Sequence, residues 1–274
     1  MIKNKVRTLI LITLLLLLCF FSTSCGVIGL LKQRIVNEIE NKYVEYTTEI
    51  SVEDIEDALV VASEIAKSSS IGVCVTTTSL LGSTKESGSA VILKKTKLYD
   101  NSYQYLAVTN RHVTGTKING KLEVYLGNGT YVNATLLQCD YNKDLALISF
   151  NTGVLLGVAT ISSQNLSCGQ FAIAVGSPYD LEAFYNSVTV GSISSTNRIR
   201  SENNEYGQKV NNIYIQHDAS LNSGNSGGGL YDIYGNLIGI NTWKVVGDNS
   251  DHIEGMCFAI PINEVLNSFS SYLK

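Results

Sequence analysis

Apolar positions along this 274-residue chain change rhythm three times. Thr8 to Phe21 are a continuous uncharged apolar run. Leu31, Ile35 and Ile39 then recur at spacings of four, a narrow helical stripe. "SVEDIEDALVVASEIAK" starts on Ser51 and Asp54 in the manner of a capping box and places Val52, Ile55, Leu59, Ala62 and Ile65 on one helical face. From Ile71 the period shortens. "IGVCVTT", "SAVIL", "YLAVT", "KLEVYL", "TYVNATLL", "LALISF", "FAIAV", "SVTVGSIS", "NIYIQ", "NLIGINTW" and "MCFAI" are short strand-like runs parted by Gly, Asn, Ser and Asp. So many short strands at this spacing predict an all-β fold, built as barrels or a sandwich. The tail "PINEVLNSFSSYLK" opens on proline and sets Ile262, Val265, Leu266 and Phe269 on one face of a closing helix. "TNRIRSENNEYGQKVNN" reads as a long polar loop or a solvated hairpin.

The first segment differs in kind. Lys3, Lys5 and Arg7 precede the apolar run, and small residues ending in Cys25 follow it. A basic start, a short apolar centre and small residues describe an export signal, and the run falls short of the roughly 20 residues a membrane span needs. Cys25, directly after "STS", resembles the acceptor of a bacterial lipoprotein signal, although Ser22 stands where a Leu-like residue is usual. The expectation is a signal peptide over 1–24, a lipid-anchored helical spacer over 25–70, and a strand-rich main domain over 71–274. Two acyl chains on Cys25 would hold the protein at the outer face of the cell membrane. Losing the three cations with the signal moves the formal net charge from −4 to −7.

Composition narrows the partners. No basic block appears, so nucleic acid is excluded as an expected partner. Three histidines without a paired ligand suggest no metal and no cofactor. Cys74, Cys139, Cys168 and Cys257 are widely spaced; export would permit two disulfides, but the spacing names no pairing. Homo-oligomerisation is left open.

The chemistry concentrates in "ASLNSGNSGGGLYD", residues 219–232, where Ser226 sits among glycines. "GNSGG" fits the G-x-S-x-G elbow, but that elbow demands a helix after the serine and the order Ser, acid, His. Here a strand, turn and strand follow. "GTKINGK" fits the outline of a phosphate loop but ends on Leu122 where Ser or Thr is required. A serine nucleophile needs an imidazole, and the imidazole needs a carboxylate. His112 follows an apolar strand in "LAVTNRHV". His217 lies at a strand end with Asp218 on the opposite face, and His252 sits in a polar loop. Asp144 borders the apolar "LALISF", whereas Asp140 reads as a turn residue.

The order His112, Asp144, Ser226, together with "SGSAVIL", "TNRHV", "DYNKDLALISF", "AVGSPYD", "IQHDASLNSGNSGGGL", "GNLIGINTW" and "FAIPI", resembles the trypsin-like serine proteases of the HtrA/Deg bacterial branch. The resemblance covers about 71–264 and implies a double six-stranded β-barrel, chymotrypsin-like, with a helical N-terminal spacer and a short C-terminal helix. It implies His112 as general base, Asp144 as its orienter and Ser226 as nucleophile in a serine endopeptidase acting on protein or peptide substrates. Gly224, Asn225 and Ser226 would form the oxyanion hole. Ser220 and Asn241 would line the specificity pocket, whose serine floor implies cleavage after small or medium apolar residues rather than Lys or Arg. Arg111 and Gly229 depart from the usual small residue or proline, at positions expected to stand clear of the chemistry. The PDZ domain usual in HtrA-type proteases is not seen. Two other readings remain at this point: a catalytically silent protease fold kept for surface binding, and an esterase.

Overall fold

The computed structural model describes residues 52–79, 82–115, 120–204, 206–245 and 254–273. The leader, Cys25, the stripe from Leu31 to Ile39, Ser51 and His252 lie outside the described residues. The chain from Glu56 onward is one compact unit.

Six strands close the first barrel: β1 (Ser70–Ser79), β2 (Gly82–Lys97), β3 (Tyr103–Asn110), β4 (Gly120–Tyr125), β5 (Tyr131–Asp140) and β6 (Leu145–Thr152), in the order β1-β2-β3-β6-β5-β4. Six more close the second: β7 (Phe171–Gly176), β8 (Ser187–Asn203), β9 (Lys209–His217), β10 (Gly229–Tyr231), β11 (Leu237–Lys244) and β12 (Cys257–Pro261), in the order β10-β11-β12-β9-β8-β7. Closure leaves neither sheet with a free edge along its full length. The all-β double barrel expected from the sequence is the fold.

Strand alternation explains the unbroken apolar runs. In β2 and β3, Ala90, Ile92 and Ala107 fill the first barrel, while Val91 and Val108 point the other way. Those outward side chains, with Leu145 and Leu147 of β6, meet Ile173, Val175, Tyr231, Leu237 and Ile240 of the second barrel in one shared core. Strands buried on both faces carry no polar alternation, so "SAVIL" and "LALISF" read as solid hydrophobic blocks.

Helix α1 (Val52–Ser68) packs on this core through Ala62 and Ala66, with Leu59 beside them. The anticipated face holds at Leu59 and Ala62 and is corrected at Val52 and Ile65. Both are largely exposed, because two alanines allow the helix close to the strands and set its rotation. At the other terminus, α3 (Ile262–Ser268) buries Ile262 and Val265, and Phe269 is buried just before α4 (Ser270–Leu273). Truncating a fully buried phenylalanine costs about 3–5 kcal/mol. The polar stretch 198–212 is a two-stranded hairpin, the outer ends of β8 and β9 paired from Arg198 with Tyr214 to Asn203 with Lys209.

Candidate active site

Two segments of the first barrel bring the acid and imidazole together. β3 ends at Asn110, and a single helical turn, α2 (Arg111–Thr114), follows, closed by the Gly115 amide on the Arg111 carbonyl at 2.8 Å. That turn points His112 at Asp144, which stands just before β6. The His112 Nδ1 to Asp144 Oδ2 distance is 2.6 Å, and the His112 amide donates to Asp144 Oδ1 at 3.0 Å. The Asp144 carbonyl accepts from the Arg111 amide at 3.0 Å and from Asn110 Nδ2 at 3.1 Å. Both ends of Asp144 are therefore fixed to the His112 turn. Its backbone is left-handed, at φ +55°, a conformation that short polar side chains tolerate.

The preceding loop is held from three directions. Ser268 Oγ donates to Asp140 Oδ2 at 2.6 Å, and Lys143 pairs with Glu264 of α3. The hairpin supplies Asn204, whose Nδ2 donates to Asn142 Oδ1 at 2.9 Å, and Asn212, whose Nδ2 donates to the Asn142 carbonyl at 2.7 Å. Asp140 meanwhile caps its own turn, accepting from the amides of Asn142 and Lys143.

The serine comes from the second barrel. Between Leu221 and Gly229 the chain makes a tight turn: the Asn225 amide donates to Asn222 O at 3.0 Å, and the Gly228 amide donates to Asn225 O at 3.0 Å. Gly224 takes φ +98° and Gly227 φ +85°, conformations only glycine adopts without strain. Among the described residues, the amides of Gly224 and Ser226 donate to no protein acceptor. Two such N–H groups in a glycine turn are a ready anion site. The Asn225 amide, spent within the turn, is not a third.

Ser89 of β2 fastens this turn to the first barrel. Its Oγ donates to the Gly224 carbonyl at 2.7 Å and accepts from the Ser177 amide at 2.8 Å, while its amide donates to the Ser226 carbonyl at 2.9 Å. Thr242, on β11, ties the pieces from the other side. Its Oγ1 donates to Asp144 Oδ2 at 3.3 Å, and its carbonyl accepts from Ser226 Oγ at 3.0 Å. The Ser226 hydroxyl thus rests on Thr242 rather than on His112. Neither Ser89 nor Thr242 stands out in the sequence: Ser89 follows Ser87 and Gly88 at the head of "SAVIL", and Thr242 sits beside Asn241 in "NLIGINTW". Arg111 also lies closer than expected, its Nε 3.8 Å from Asp144 Oδ1.

The other candidates fall elsewhere. His217 is fully buried at the end of β9, and burial lowers its imidazole pKa to about 4. Its neighbour Asp218 faces outward and takes the Ser192 hydroxyl, as strand alternation requires. Ser220 is exposed, its carbonyl accepting from Thr189 Oγ1 at 2.9 Å. Asn241 is fully buried: its Nδ2 donates to the Gly229 carbonyl at 2.9 Å, and its Oδ1 has no hydrogen-bond partner. Gly229 has a packing reason, since a Cβ there would lie 2.3 Å from the Tyr231 ring. Cys74, Cys168 and Cys257 are free thiols. An acid-held imidazole, a hydroxyl on an adjoining strand turn and two unspent amides can together support acyl transfer.

Comparison with known proteins agrees with this geometry. Residues 88–240 match the trypsin-like peptidase domain. The Serine protease Do-like HtrA of Lactococcus lactis subsp. cremoris is 41% identical over 66% of this chain and 43% of its own length. The Bacillus subtilis protein of the same name is 37% identical over 65% of this chain and 37% of its own. Among solved structures, the HtrA-type protease AlgW with tripeptide superposes with a TM-score of 0.61 at 29% identity, covering 79% of this chain and 64% of that one. The chain spans less than half the length of the curated relatives it matches.

Proposed function

This chain belongs to the trypsin-like peptidase family, and we propose that it is a serine endopeptidase of the HtrA type. The observation that carries the reading is the 2.6 Å contact between His112 Nδ1 and Asp144 Oδ2, reached from two separate loops, beside a serine in a glycine turn. Asp144 fixes the imidazole so that Nε2 is left to take a proton. The proposed base step needs the Ser226 side chain to rotate off the Thr242 carbonyl and bond to His112 Nε2. Resting enzymes commonly tighten this bond only when substrate arrives. Ser226 Oγ then attacks the peptide carbonyl, His112 accepts the hydroxyl proton, and the Gly224 and Ser226 amides stabilise the oxyanion. Collapse passes the proton to the leaving amine, and water releases the acyl group from Ser226 by the same base.

Substrate would lie as an added strand along β11. Strand β10 covers β11 only as far as Ile240, so among the described residues Thr242–Lys244 have no strand partner on the side toward Ser226. No carboxylate stands at Ser220, which supports cleavage after small or medium apolar residues in unfolded or exported proteins. Lipidation at Cys25 would place the enzyme on the extracytoplasmic face of the cell membrane.

The test is labelling of the full chain by a fluorophosphonate probe. Wild type should label and Ser226→Ala should not; equal labelling of both would end the assignment. Loss of acyl-chain incorporation in Cys25→Ala tests the anchor separately. The second reading, a silent protease fold kept for binding, draws on the Ser226 hydroxyl resting on Thr242. Hydrolysis of unfolded casein that disappears in His112→Ala would exclude it.

A further inference from the structure

Two cations flank the open edge of β11, one on each face. Trp243 stacks on Phe258, with ring centroids 4.0 Å apart, and the Arg200 guanidinium lies 4.0 Å over the Trp243 ring. Lys244, the next residue, projects to the other face. It pairs in register with Cys257, and its Nζ is 3.5 Å from Asn222 Oδ1, within the turn that leads to Ser226. Among the described residues Lys244 makes no ion pair. Arg200 has only a long contact to Glu202, Nε to Oε1 at 3.7 Å, and that carboxylate already accepts from the Tyr214 hydroxyl at 2.9 Å. The chain as a whole is acidic, at −4.

An extended peptide alternates its side chains between the two faces of a sheet. Laid antiparallel to Thr242–Lys244 with its scissile residue at Ser226, a substrate runs from Lys244 toward Thr242. The residues preceding the cleaved bond therefore pass both cations. One side chain turns toward Lys244 and the turn at Asn222. Its neighbour turns toward Trp243 and Arg200, where the indole removes water from one side of the guanidinium and strengthens its attraction for an anion.

We infer that the groove selects peptides carrying acidic side chains at the second and third residues before the cleaved bond. The inference rests on the serine-peptidase reading and names the substrate class of that same site. It leaves the apolar residue at the bond itself unchanged and assigns Lys244 and Arg200 as specificity determinants.

The experiment uses the full chain and three internally quenched peptides that differ only at the second and third residues before the cleaved bond, as Glu-Glu, Gln-Gln or Lys-Lys. In wild type, kcat/KM should favour Glu-Glu over Lys-Lys by about tenfold in low salt, and the ratio should shrink as salt screens it. Lys244→Glu should invert the ratio, and Arg200→Gln should reduce it. Both side chains are exposed on the surface, and circular dichroism of each variant confirms folding. A wild-type ratio near one, or a ratio unchanged in the Lys244→Glu/Arg200→Gln double variant, overturns the inference while leaving the peptidase reading intact. If the labelled enzyme turns over none of the three, the rate at which each peptide slows fluorophosphonate labelling supplies the same ratio. Absence of Ser226 labelling is the distinct outcome that defeats the peptidase reading, and this inference falls with it.

Discussion

His217 makes the stability of this protein sensitive to mild acid. The side chain is fully buried between Ile193 of β8 and Cys257 of β12, and among the described residues neither ring nitrogen makes a well-formed hydrogen bond. Burial lowers its pKa from 6.5 to about 4; the charge of Asp218 and the polar groups of Asn241 and Ala219 only partly oppose that. The folded protein thus holds His217 neutral where the unfolded chain would protonate it. Stability from this source is full above pH 6.5 and declines as pH falls toward 4, because the unfolded state binds more protons over that window. The gap between 6.5 and about 4, at about 1.4 kcal/mol per pH unit, corresponds to roughly 3 kcal/mol in full. The same linkage gives a loss of about 2 kcal/mol by pH 5 and about 3 kcal/mol by pH 4. Urea unfolding of the full chain at pH 7, 6, 5 and 4 should show this as an excess acid loss relative to His217→Phe and His217→Gln, which cannot titrate. The difference between profiles matters, since carboxylates titrate equally in all three proteins. Profiles that run parallel from pH 7 to pH 4 would refute the reasoning.

Other outcomes follow from the site. Thr242→Val removes the hydroxyl donor to Asp144 Oδ2, and a bond to a charged group is worth about 1.5–3 kcal/mol, so kcat/KM should fall roughly 10- to 100-fold with KM little changed. Ser89→Ala leaves the buried Gly224 carbonyl and Ser177 amide unpaired, at about 1–3 kcal/mol each; the thermal midpoint should drop measurably, with a larger loss of activity. Gly227→Ala would put a Cβ 2.1 Å from the Ser89 carbonyl at φ +85°, so it should yield little folded protein in size-exclusion chromatography. Ser268→Ala frees Asp140 Oδ2 from the C-terminal segment and should cost about 1 kcal/mol in urea unfolding.

The parts legible in the sequence are those where burial is complete. "SAVIL", "LAVT" and "LALISF" read as strands because both faces meet a core, and Ile262, Val265 and Phe269 read as a helix because one face does. The hairpin from Arg198 to Asn212 reads poorly because both of its faces are largely solvated, so no period marks it. Helix α1 gave the right element, with its face right at Leu59 and Ala62 and wrong at Val52 and Ile65; alanine is a weak hydrophobic signal, yet Ala62 and Ala66 decide the contact. At the site, His112, Asp144 and Ser226 stood out by residue type and setting. Ser89 and Thr242 did not, because their roles lie in bonds to residues 135 and 16 positions away, and sequence spacing carries no trace of them.

The left-handed backbone at Asp144 narrows what can ever occupy that position. Aspartate, asparagine and glycine enter that conformation at small cost, whereas a longer acid such as glutamate would carry both strain and reach. An acid at this position is therefore fixed as a short one by its own main chain, before any demand of the imidazole is considered. Asp144→Asn becomes a nearly shape-neutral way to remove the charge, and Asp144→Glu, though it keeps the charge, the more disruptive exchange.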